Sequence, residues 1–173
     1  KGILFPSTST VYGEPSVIPT PEDYGPLVPI SVYGATKLAC EALVCSYAHS
    51  FDMEAVIFRF ANVVGARSTH NVLHDFAAKL RADPSRLEIL GAAPGTTKSY
   101  VHVEDCVRGM VIGAEYARSR VEIFNLGSND RLSVKEIADM VTEEMGLRGV
   151  RYEWTGGVQG GRGQAGHRVR DLV

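Results

Sequence analysis

Segments with the pattern of β-strands alternate with segments with the pattern of α-helices along most of this chain. Short apolar runs predict strands, at residues 3–5, 53–60, 87–90, 99–103, 121–126 and 150–154. Apolar residues at helical spacing predict helices, at residues 31–49, 71–82, 104–117 and 133–146. This alternation is typical of parallel strands connected by helices, so we expect an α/β fold with a second, smaller α/β lobe.

Some of these patterns also predict which side chains are buried. The first strand, Gly2-Ile3-Leu4-Phe5, has no polar side chain and is predicted to be a buried strand. Ser133, with Glu136 three residues later, forms a capping box that predicts the start of the last helix. The helix at 104–117 is predicted to turn one apolar stripe inward, made of Val107, Met110, Val111 and Ala114.

Composition excludes several classes of protein. The 173 residues are 45% hydrophobic and 22% charged, with a net charge of −2, as expected for a globular unit with a core. The slightly acidic balance gives no support for binding nucleic acid or an anionic membrane, and no apolar run approaches the ~20 residues of a spanning helix. Three cysteines without a Cys-x-x-Cys pair predict reduced thiols and a cytoplasmic protein. The five histidines form no ligand cluster, so we expect no metal.

Tyr33 and Lys37 lie four residues apart at the start of the predicted helix 31–49. On a helix this spacing places both side chains on one face. A free tyrosine loses its proton near pH ~10, and a neighbouring ammonium lowers that value. Such a phenol can take a proton from a substrate alcohol, which is a step of nicotinamide-dependent chemistry. Alone the pair is a weak signal, because a tyrosine beside a solvated lysine arises often by chance.

A hydroxyl-rich turn, Ser7-Thr8-Ser9-Thr10, follows the first strand and precedes the helix with Tyr33. A proline-rich loop over residues 13–30 separates the turn from that helix. A hydroxyl from this turn can assist the phenol in proton transfer, although a strand-end threonine also commonly bonds its own backbone.

Several segments together resemble the extended short-chain dehydrogenase/reductases, and among them the nucleotide-sugar epimerases, most closely those of the UDP-glucose (UDP-galactose) 4-epimerase type. The similarity runs from residue 2 to about residue 156 and is carried by residues 7–15, 33–37, 59–65, 67–72, 98–105 and 124–128. The resemblance implies the C-terminal part of a Rossmann-like NAD-binding domain at residues 1–65. It also implies a nucleotide-sugar-binding lobe at 66–173, with the segment near 99–126 returning to the Rossmann domain.

The resemblance also implies roles for individual residues. Thr8, Tyr33 and Lys37 are expected to be catalytic, with Tyr33 as the acid/base. Tyr33, Lys37 and Ala61 are expected to bind NAD, with Lys37 on the nicotinamide ribose. Contacts with a nucleotide-diphosphate sugar are expected from seven residues: Thr8, Asn62, Asn71, Val72, Glu88, Leu90 and Lys98.

The chain departs from the family pattern at three places. Lys98 stands where relatives usually carry an arginine, which keeps the charge but loses the bidentate fork. Ser9 and Thr10 stand where the dehydratases carry an acidic pair, which argues against 4,6-dehydration. The glycine-rich tail from Gly156 is predicted to be a loop, with Gly163-Gln164 and Gly166-His167 where relatives have a Gly-Asp element.

The predicted reaction is NAD-dependent epimerisation at C4 of a nucleotide-diphosphate sugar through a 4-keto intermediate. A dehydratase, a decarboxylase, a 4-ketosugar reductase or a non-catalytic module with the same fold are the alternatives. The resemblance further implies a homodimer built partly on the helix with Tyr33.

A glycine-rich loop between a predicted strand and a predicted helix, which would bind the cofactor pyrophosphate, does not occur in the 173 residues. In the resembled family that loop opens the chain. We therefore expect the 173 residues to be part of a longer protein. A natural short form is the alternative, and it would leave an inner strand edge open.

Overall fold

The computed structural model describes residues 1–156, which divide into two compact units. Unit 1 contains residues 1–65 and 99–130, and unit 2 contains residues 66–98 and 131–156. The glycine-rich tail, including Gly163-Gln164 and Gly166-His167, lies outside the described residues.

The elements of the described residues, in chain order, are β1 Gly2–Thr8, α1 Val32–Ser50, β2 Glu54–Phe60, β3 Asn62–Val64, α2 Val72–Ala82, β4 Arg86–Ile89, β5 Thr97–Lys98, β6 Tyr100–His102, α3 Val103–Tyr116, β7 Val121–Leu126, β8 Leu132–Ser133, α4 Val134–Glu144 and β9 Arg151–Trp154. A 3₁₀ turn, Ser9–Tyr12, follows β1. All predicted strands and helices are confirmed, with ends displaced by three residues or fewer. The short strands β3, β5 and β8 were not predicted.

The main sheet of unit 1 has three parallel strands in the order β1-β2-β7. Parallel strands connected by helices confirm the predicted α/β fold. In the described residues β1 is only partly buried: Gly2 and Leu4 are exposed, Leu4 by 50%, whereas Ser7 and Thr8 are buried. Within the described residues β1 pairs only with β2, so it is an edge strand and one side of it is open.

The start of α1 lies against the 3₁₀ turn that follows β1. Ser31 caps the helix, since its Oγ accepts a hydrogen bond from the backbone N–H of Gly34 at 3.0 Å. A Cβ on Gly34 would lie 2.8 Å from the carbonyl oxygen of Thr10, so glycine permits this close approach. The first turn of α1, which includes Tyr33, is thereby held next to the end of β1.

The predicted inward stripe of α3 is wrong for two of its four residues: Val107 and Val111 are 54% and 53% exposed, whereas Met110 and Ala114 are partly buried. The face turned toward the sheet carries Cys106 and Gly113, which are both buried. A Cβ on Gly113 would come 2.7 Å from the ring of Phe58, so a small residue lets α3 pack closely on β2. The helix approaches the sheet by its glycine face and leaves apolar side chains outside.

Unit 2 consists of α2, α4 and two small strand pairs. β4 pairs with β9 in parallel, and β5 pairs with β8 in antiparallel orientation. The predicted capping box at Ser133 and Glu136 is confirmed, with both of its reciprocal hydrogen bonds present. The core of the unit contains six buried apolar side chains among the described residues: Phe76, Leu80, Leu87, Ile89, Ile137 and Ala138.

A search of the described helices for one both long and apolar enough to cross a bilayer finds none.

Candidate active site

The carboxyl ends of β1, β2 and β7 meet at one edge of the unit 1 sheet. Thr8, the last residue of β1, is paired in register with Phe60 of β2, which is paired with Leu126 of β7. Ligands of parallel α/β sheets bind outside this edge. The edge therefore places Thr8 where a substrate would be expected.

Thr8 is buried, with 7% of its surface exposed. Its Oγ1 caps the 3₁₀ turn, accepting from the backbone N–H of Thr10 at 3.3 Å and lying 3.2 Å from the Thr10 hydroxyl. The hydroxyl therefore does bond local backbone, as strand-end threonines commonly do. Because a hydroxyl both donates and accepts, Thr8 keeps its own hydrogen for a further partner.

Lys37 reaches back from α1 to β1. Its Nζ donates to the carbonyl oxygen of Pro6 at 2.7 Å and lies 5.1 Å from the centre of the Phe5 ring. An ammonium has three hydrogens, so two remain available for a ligand. The structure thus places a positive charge beside the end of β1, two residues before Thr8.

Tyr33 lies in the first turn of α1 with 54% of its surface exposed. Within residues 1–156 its phenol makes no hydrogen bond to another side chain or to the backbone. Tyr33 shares one helix face with Lys37, since the two are four residues apart. Because Tyr33 shares that face with Lys37 and lies in the first turn of a helix held next to the end of β1, its phenol is a candidate for moving a proton.

Ala61 connects β2 to β3, and Asn62 is the first residue of β3. The backbone N–H of Ala61 donates to the carbonyl oxygen of Leu126 at 2.9 Å. The Asn62 Nδ2 donates to the carbonyl oxygen of Ser99 at 3.0 Å. This bond orients the Asn62 amide and leaves one N–H and the carbonyl oxygen for a further partner.

Four polar side chains below the strand ends form a cluster that sequence reasoning missed: Ser7, Glu41, Arg59 and Asn125. Glu41 and Arg59 form an ion pair with an N–O distance of 2.8 Å and exposures of 4% and 3%. Burial alone would lower the pKa of Arg59, but its hydrogen bonds to the Glu41 carboxylate and the neighbouring Tyr12 raise that pKa above the ordinary value. Glu41 lies four residues after Lys37, so the spacing on α1 was the available signal.

Unit 2 contains a pocket of about 340 Å³ between α2, the end of β4 and the start of α4. Three of the predicted ligand residues line it: Asn71, Val72 and Leu90. Asn71 caps α2, since its Oδ1 accepts from the backbone N–H of His74 at 2.8 Å. Lining residues that sequence reasoning missed are Asp75, Phe76, Ile89, Thr96 and Val134.

Two predicted ligand residues of unit 2 do not line this pocket. The side chain of Glu88 is exposed, and its carbonyl oxygen accepts from Lys79 Nζ at 3.2 Å. Lys98 is half-buried, and burial lowers the pKa of its ammonium. Within residues 1–156 no carboxylate pairs with Lys98, so the charge lacks a partner there.

Over residues 1–156, His, Cys, Asp and Glu side chains form no group of three suited to holding a metal ion.

Known proteins match most of the chain. A UDP-glucose 4-epimerase of Corynebacterium glutamicum is 32% identical over 162 residues, covering 84% of this chain and 48% of that relative. A crystal structure of a UDP-galactose 4-epimerase is 39% identical with a TM-score of 0.79, over 91% of this chain and 54% of that one. A UDP-glucuronic acid 4-epimerase from Bacillus cereus, in complex with UDP-glucuronic acid and NAD, is 30% identical with a TM-score of 0.77. This chain covers 49% of the Bacillus cereus protein. The chain therefore spans about half the length of each of these three relatives.

The fold and the matching proteins agree with one family. The model of the NAD dependent epimerase/dehydratase family matches residues 1–127, which is more than half of the chain. The Rossmann-like character expected from the sequence is confirmed by these structural neighbours. This chain belongs to the NAD-dependent epimerase/dehydratase family.

Proposed function

We propose that the protein containing this chain is an NAD-dependent 4-epimerase of a UDP-sugar of the UDP-glucose/UDP-galactose type. The observation that carries the proposal is the placement of Thr8 and Lys37 at the end of β1, beside the first turn of α1 with the free phenol of Tyr33. Relatives named as UDP-sugar 4-epimerases at 30% identity or more support the reaction class.

Each reactive side chain has one proposed task. Tyr33 takes the proton of the sugar 4-hydroxyl, and its exposure leaves the phenol accessible to a substrate. Thr8 donates its free hydroxyl hydrogen to the reacting sugar oxygen. Lys37 offers its positive charge and its two remaining N–H groups on the same face of α1 as Tyr33. Loss of the 4-hydroxyl proton to Tyr33, together with loss of hydride from C4, would give the 4-keto sugar. After rotation of the keto sugar about its diphosphate, hydride would return to the opposite face of C4 and Tyr33 would return the proton to the oxygen.

The residues present fit the nicotinamide end of NAD. Two unused hydrogens on Lys37 Nζ suit the hydroxyls of a ribose, and Ala61 follows β2 at the carboxyl edge of the sheet. When bound, NAD supplies the hydride acceptor and donor for the sugar C4. The residues that would bind its pyrophosphate are not among the predicted strand–loop–helix segments of the 173 residues.

The nucleotide-sugar contacts of unit 2 are proposed around its pocket. Val72 and Leu90 give apolar surface for a nucleotide base, and Asn71 at the N-terminus of α2 suits an anionic phosphate. Lys98 is proposed to meet the diphosphate, because its unpaired, half-buried ammonium gains most from an anion. Glu88 is proposed to contact the ligand through its backbone, and Asn62 of unit 1 through its remaining amide hydrogen.

Unit 1 is proposed to belong to the NAD-binding domain, and unit 2 to be the nucleotide-sugar lobe. The homodimer is proposed to use α1, where Leu43, Tyr47 and Phe51 form a stripe at four-residue spacing and are 55–64% exposed. A cytoplasmic location is proposed because Cys40, Cys45 and Cys106 are free thiols.

The deciding experiment uses the natural protein purified with its cofactor and supplied with UDP-galactose. Turnover to UDP-glucose is expected, and Tyr33→Phe is expected to reduce it at least ~100-fold, the lower range for a positioned acid/base. The NAD content of the variant should equal that of the wild type, because the phenol is one contact among several. Near-normal turnover in Tyr33→Phe would contradict the role of Tyr33, and product dehydrated at C6 would indicate a dehydratase instead.

A further inference from the structure

A row of polar side chains crosses the unit 1 sheet just below its carboxyl edge. Ser7 of β1 is paired in register with Arg59 of β2, and Arg59 is paired with Asn125 of β7. This row lies one residue before Thr8 and its partners on β2 and β7. A polar row at this depth is unusual in an apolar sheet, since buried polar groups are costly unless each is bonded.

Glu41, on α1, binds two residues of this row, Ser7 and Arg59. Its carboxylate accepts a hydrogen bond from Ser7 Oγ and three from Arg59, the shortest at 2.8 Å from Nη2. Ser7 is 3% exposed, like the side chain of Arg59. A buried ion pair adds little net stability over apolar packing, so its geometry is the more informative property.

The position of Glu41 on α1 links this cluster to the proposed chemistry. Tyr33, Lys37 and Glu41 are spaced by four residues and share one face of the helix. Fixing Glu41 against Ser7 and Arg59 sets both the rotation of α1 and its position along the helix axis. The same contact holds β1 at Ser7, which is bonded through the backbone to Thr8.

The cluster also fastens the loop at residues 13–31 that leads into α1. Arg59 Nη1 donates to the Glu22 carbonyl oxygen at 3.1 Å, and Asn125 Nδ2 donates to the Thr20 carbonyl oxygen at 2.9 Å. The hydroxyl of Tyr12 donates to Asn125 Oδ1 at 2.8 Å, while the Arg59 guanidinium lies 4.7 Å from the Tyr12 ring. The middle of the loop is thereby tied to the ends of β2 and β7.

We infer that Ser7, Glu41, Arg59 and Asn125 are positioning residues, which hold the Thr8 hydroxyl and the Tyr33 helix in register for proton transfer. The inference rests on the proposed function for the identity of the reaction. A displacement of ~1 Å between reacting groups reduces a rate by about 10²-fold. Loosening the cluster should therefore lower kcat while leaving the nucleotide contacts proposed in unit 2 intact.

The sharpest variant is Ser7→Ala in the natural protein with its cofactor. It removes the link between β1 and Glu41 but keeps the three hydrogen bonds from Arg59, so the fold should persist. We expect kcat to fall about 10-fold or more with KM for the UDP-sugar within twofold, and Ser7→Thr to recover most of the loss. The matched control is Ser119→Ala, which removes a surface hydroxyl bonded to the Val121 carbonyl oxygen and should leave kcat unchanged.

A second measurement does not depend on the substrate. Amide hydrogen exchange in Asn125→Ala should become at least ~10-fold faster at residues 8–31, while residues 55–58 of β2 keep wild-type rates. If the wild type turns over no UDP-sugar, the proposed function fails, and the exchange result still decides whether the cluster positions this edge. Wild-type kcat in Ser7→Ala, or exchange in Asn125→Ala that stays slow or accelerates equally throughout the sheet, would overturn the inference.

Discussion

The two units support their proposed ligand contacts in opposite ways. In unit 1 the reactive side chains lie above a buried ion pair, Arg59–Glu41, whose partners are 3% and 4% exposed. In unit 2 the contacts surround an apolar pocket, and the ion pairs found within its described residues have partners that are all at least 31% exposed. A buried pair depends on both partners, whereas an exposed pair contributes little. The Arg59–Glu41 ion pair therefore belongs to the interior of unit 1, whereas these ion pairs of unit 2 lie at its surface.

The largest expected effect concerns NAD, since unit 1 has proposed ribose contacts but its predicted segments include no pyrophosphate loop. The 173-residue chain alone should bind NAD with a Kd above ~1 mM, at least about 1,000-fold weaker than a micromolar site, or ~4 kcal/mol. One ammonium at Lys37 does not offset the entropy lost on binding. Calorimetric titration of NAD measures this, and the open edge of β1 predicts self-association in the same sample.

UDP provides the matched comparison for NAD. Because the residues around the pocket all belong to unit 2, millimolar UDP should shift the amide NMR signals of Val72 and Leu90 in the same chain. Micromolar NAD binding by a well-behaved monomer would contradict the prediction and require a cofactor site within these residues.

The second prediction is that removing a buried carboxylate destabilises the fold more than removing an exposed one. Glu41→Gln leaves Arg59 buried without its counter-charge, which should cost about 3–5 kcal/mol in the free energy of unfolding. Asp75→Asn removes the partner of Lys79 in an exposed i,i+4 pair and should cost less than ~1 kcal/mol. Urea unfolding of both variants measures the difference, and equal losses would remove the distinction between the units.

The sequence predicted the long elements correctly but missed the short strands and the buried face of α3. The long strands and helices were predictable, because each shows several periods of its apolar pattern. The strands β3, β5 and β8 have only two or three residues, too few to show any period. On α3 the stripe of valines pointed to the wrong face, since Gly109 and Gly113 allow close packing on Leu126 and Phe58 and so turn inward.

In the candidate site, residues close together in the sequence were recognisable, and residues that meet only in the fold were not. Tyr33 and Lys37 were recognisable because their spacing is local. Glu41 has the ordinary pattern of a solvated helix charge, and its partner Arg59 lies 18 residues away on another element. The pocket lining likewise includes Thr96 and Val134, which are distant in sequence from Asn71 and meet only in the fold.

A smaller effect concerns Lys98, a half-buried charge in unit 2 without a carboxylate partner in the described residues. Lys98→Met should weaken UDP-sugar binding by about 1–3 kcal/mol, the range for hydrogen bonds to charged groups. Burial lowers the pKa of Lys98, so the folded chain binds this proton less tightly than the unfolded chain. Wild-type stability should therefore rise as the pH increases from the lowered pKa toward the ordinary value near ~10.4.

Lys98→Met removes the cost of burying the ammonium, so the melting temperature of the variant should exceed that of the wild type at pH 7. The difference in melting temperature should become smaller as the pH approaches ~10. Calorimetry gives the affinity, and thermal melts at several pH values give the stability. Unchanged affinity would return Lys98 to the class of solvated surface charges, whereas a lower melting temperature would indicate a salt bridge that supports the fold.

The smallest effect comes from the exposed pair Lys135–Asp139 on α4. Its atoms are 2.7 Å apart, yet both side chains are about half exposed, at 50% and 48%. Lys135→Ala should cost only about 0.3–0.5 kcal/mol, the value of an i,i+4 pair on a helix surface, and 1 M NaCl should abolish most of the difference. Urea unfolding with and without salt measures both quantities. If the free energy of unfolding fell by more than ~1 kcal/mol and salt did not change this loss, a surface ion pair of unit 2 would contribute to stability in a way comparable to the buried pair of unit 1. In that case the contrast between the units would lie in their pockets rather than in their charges.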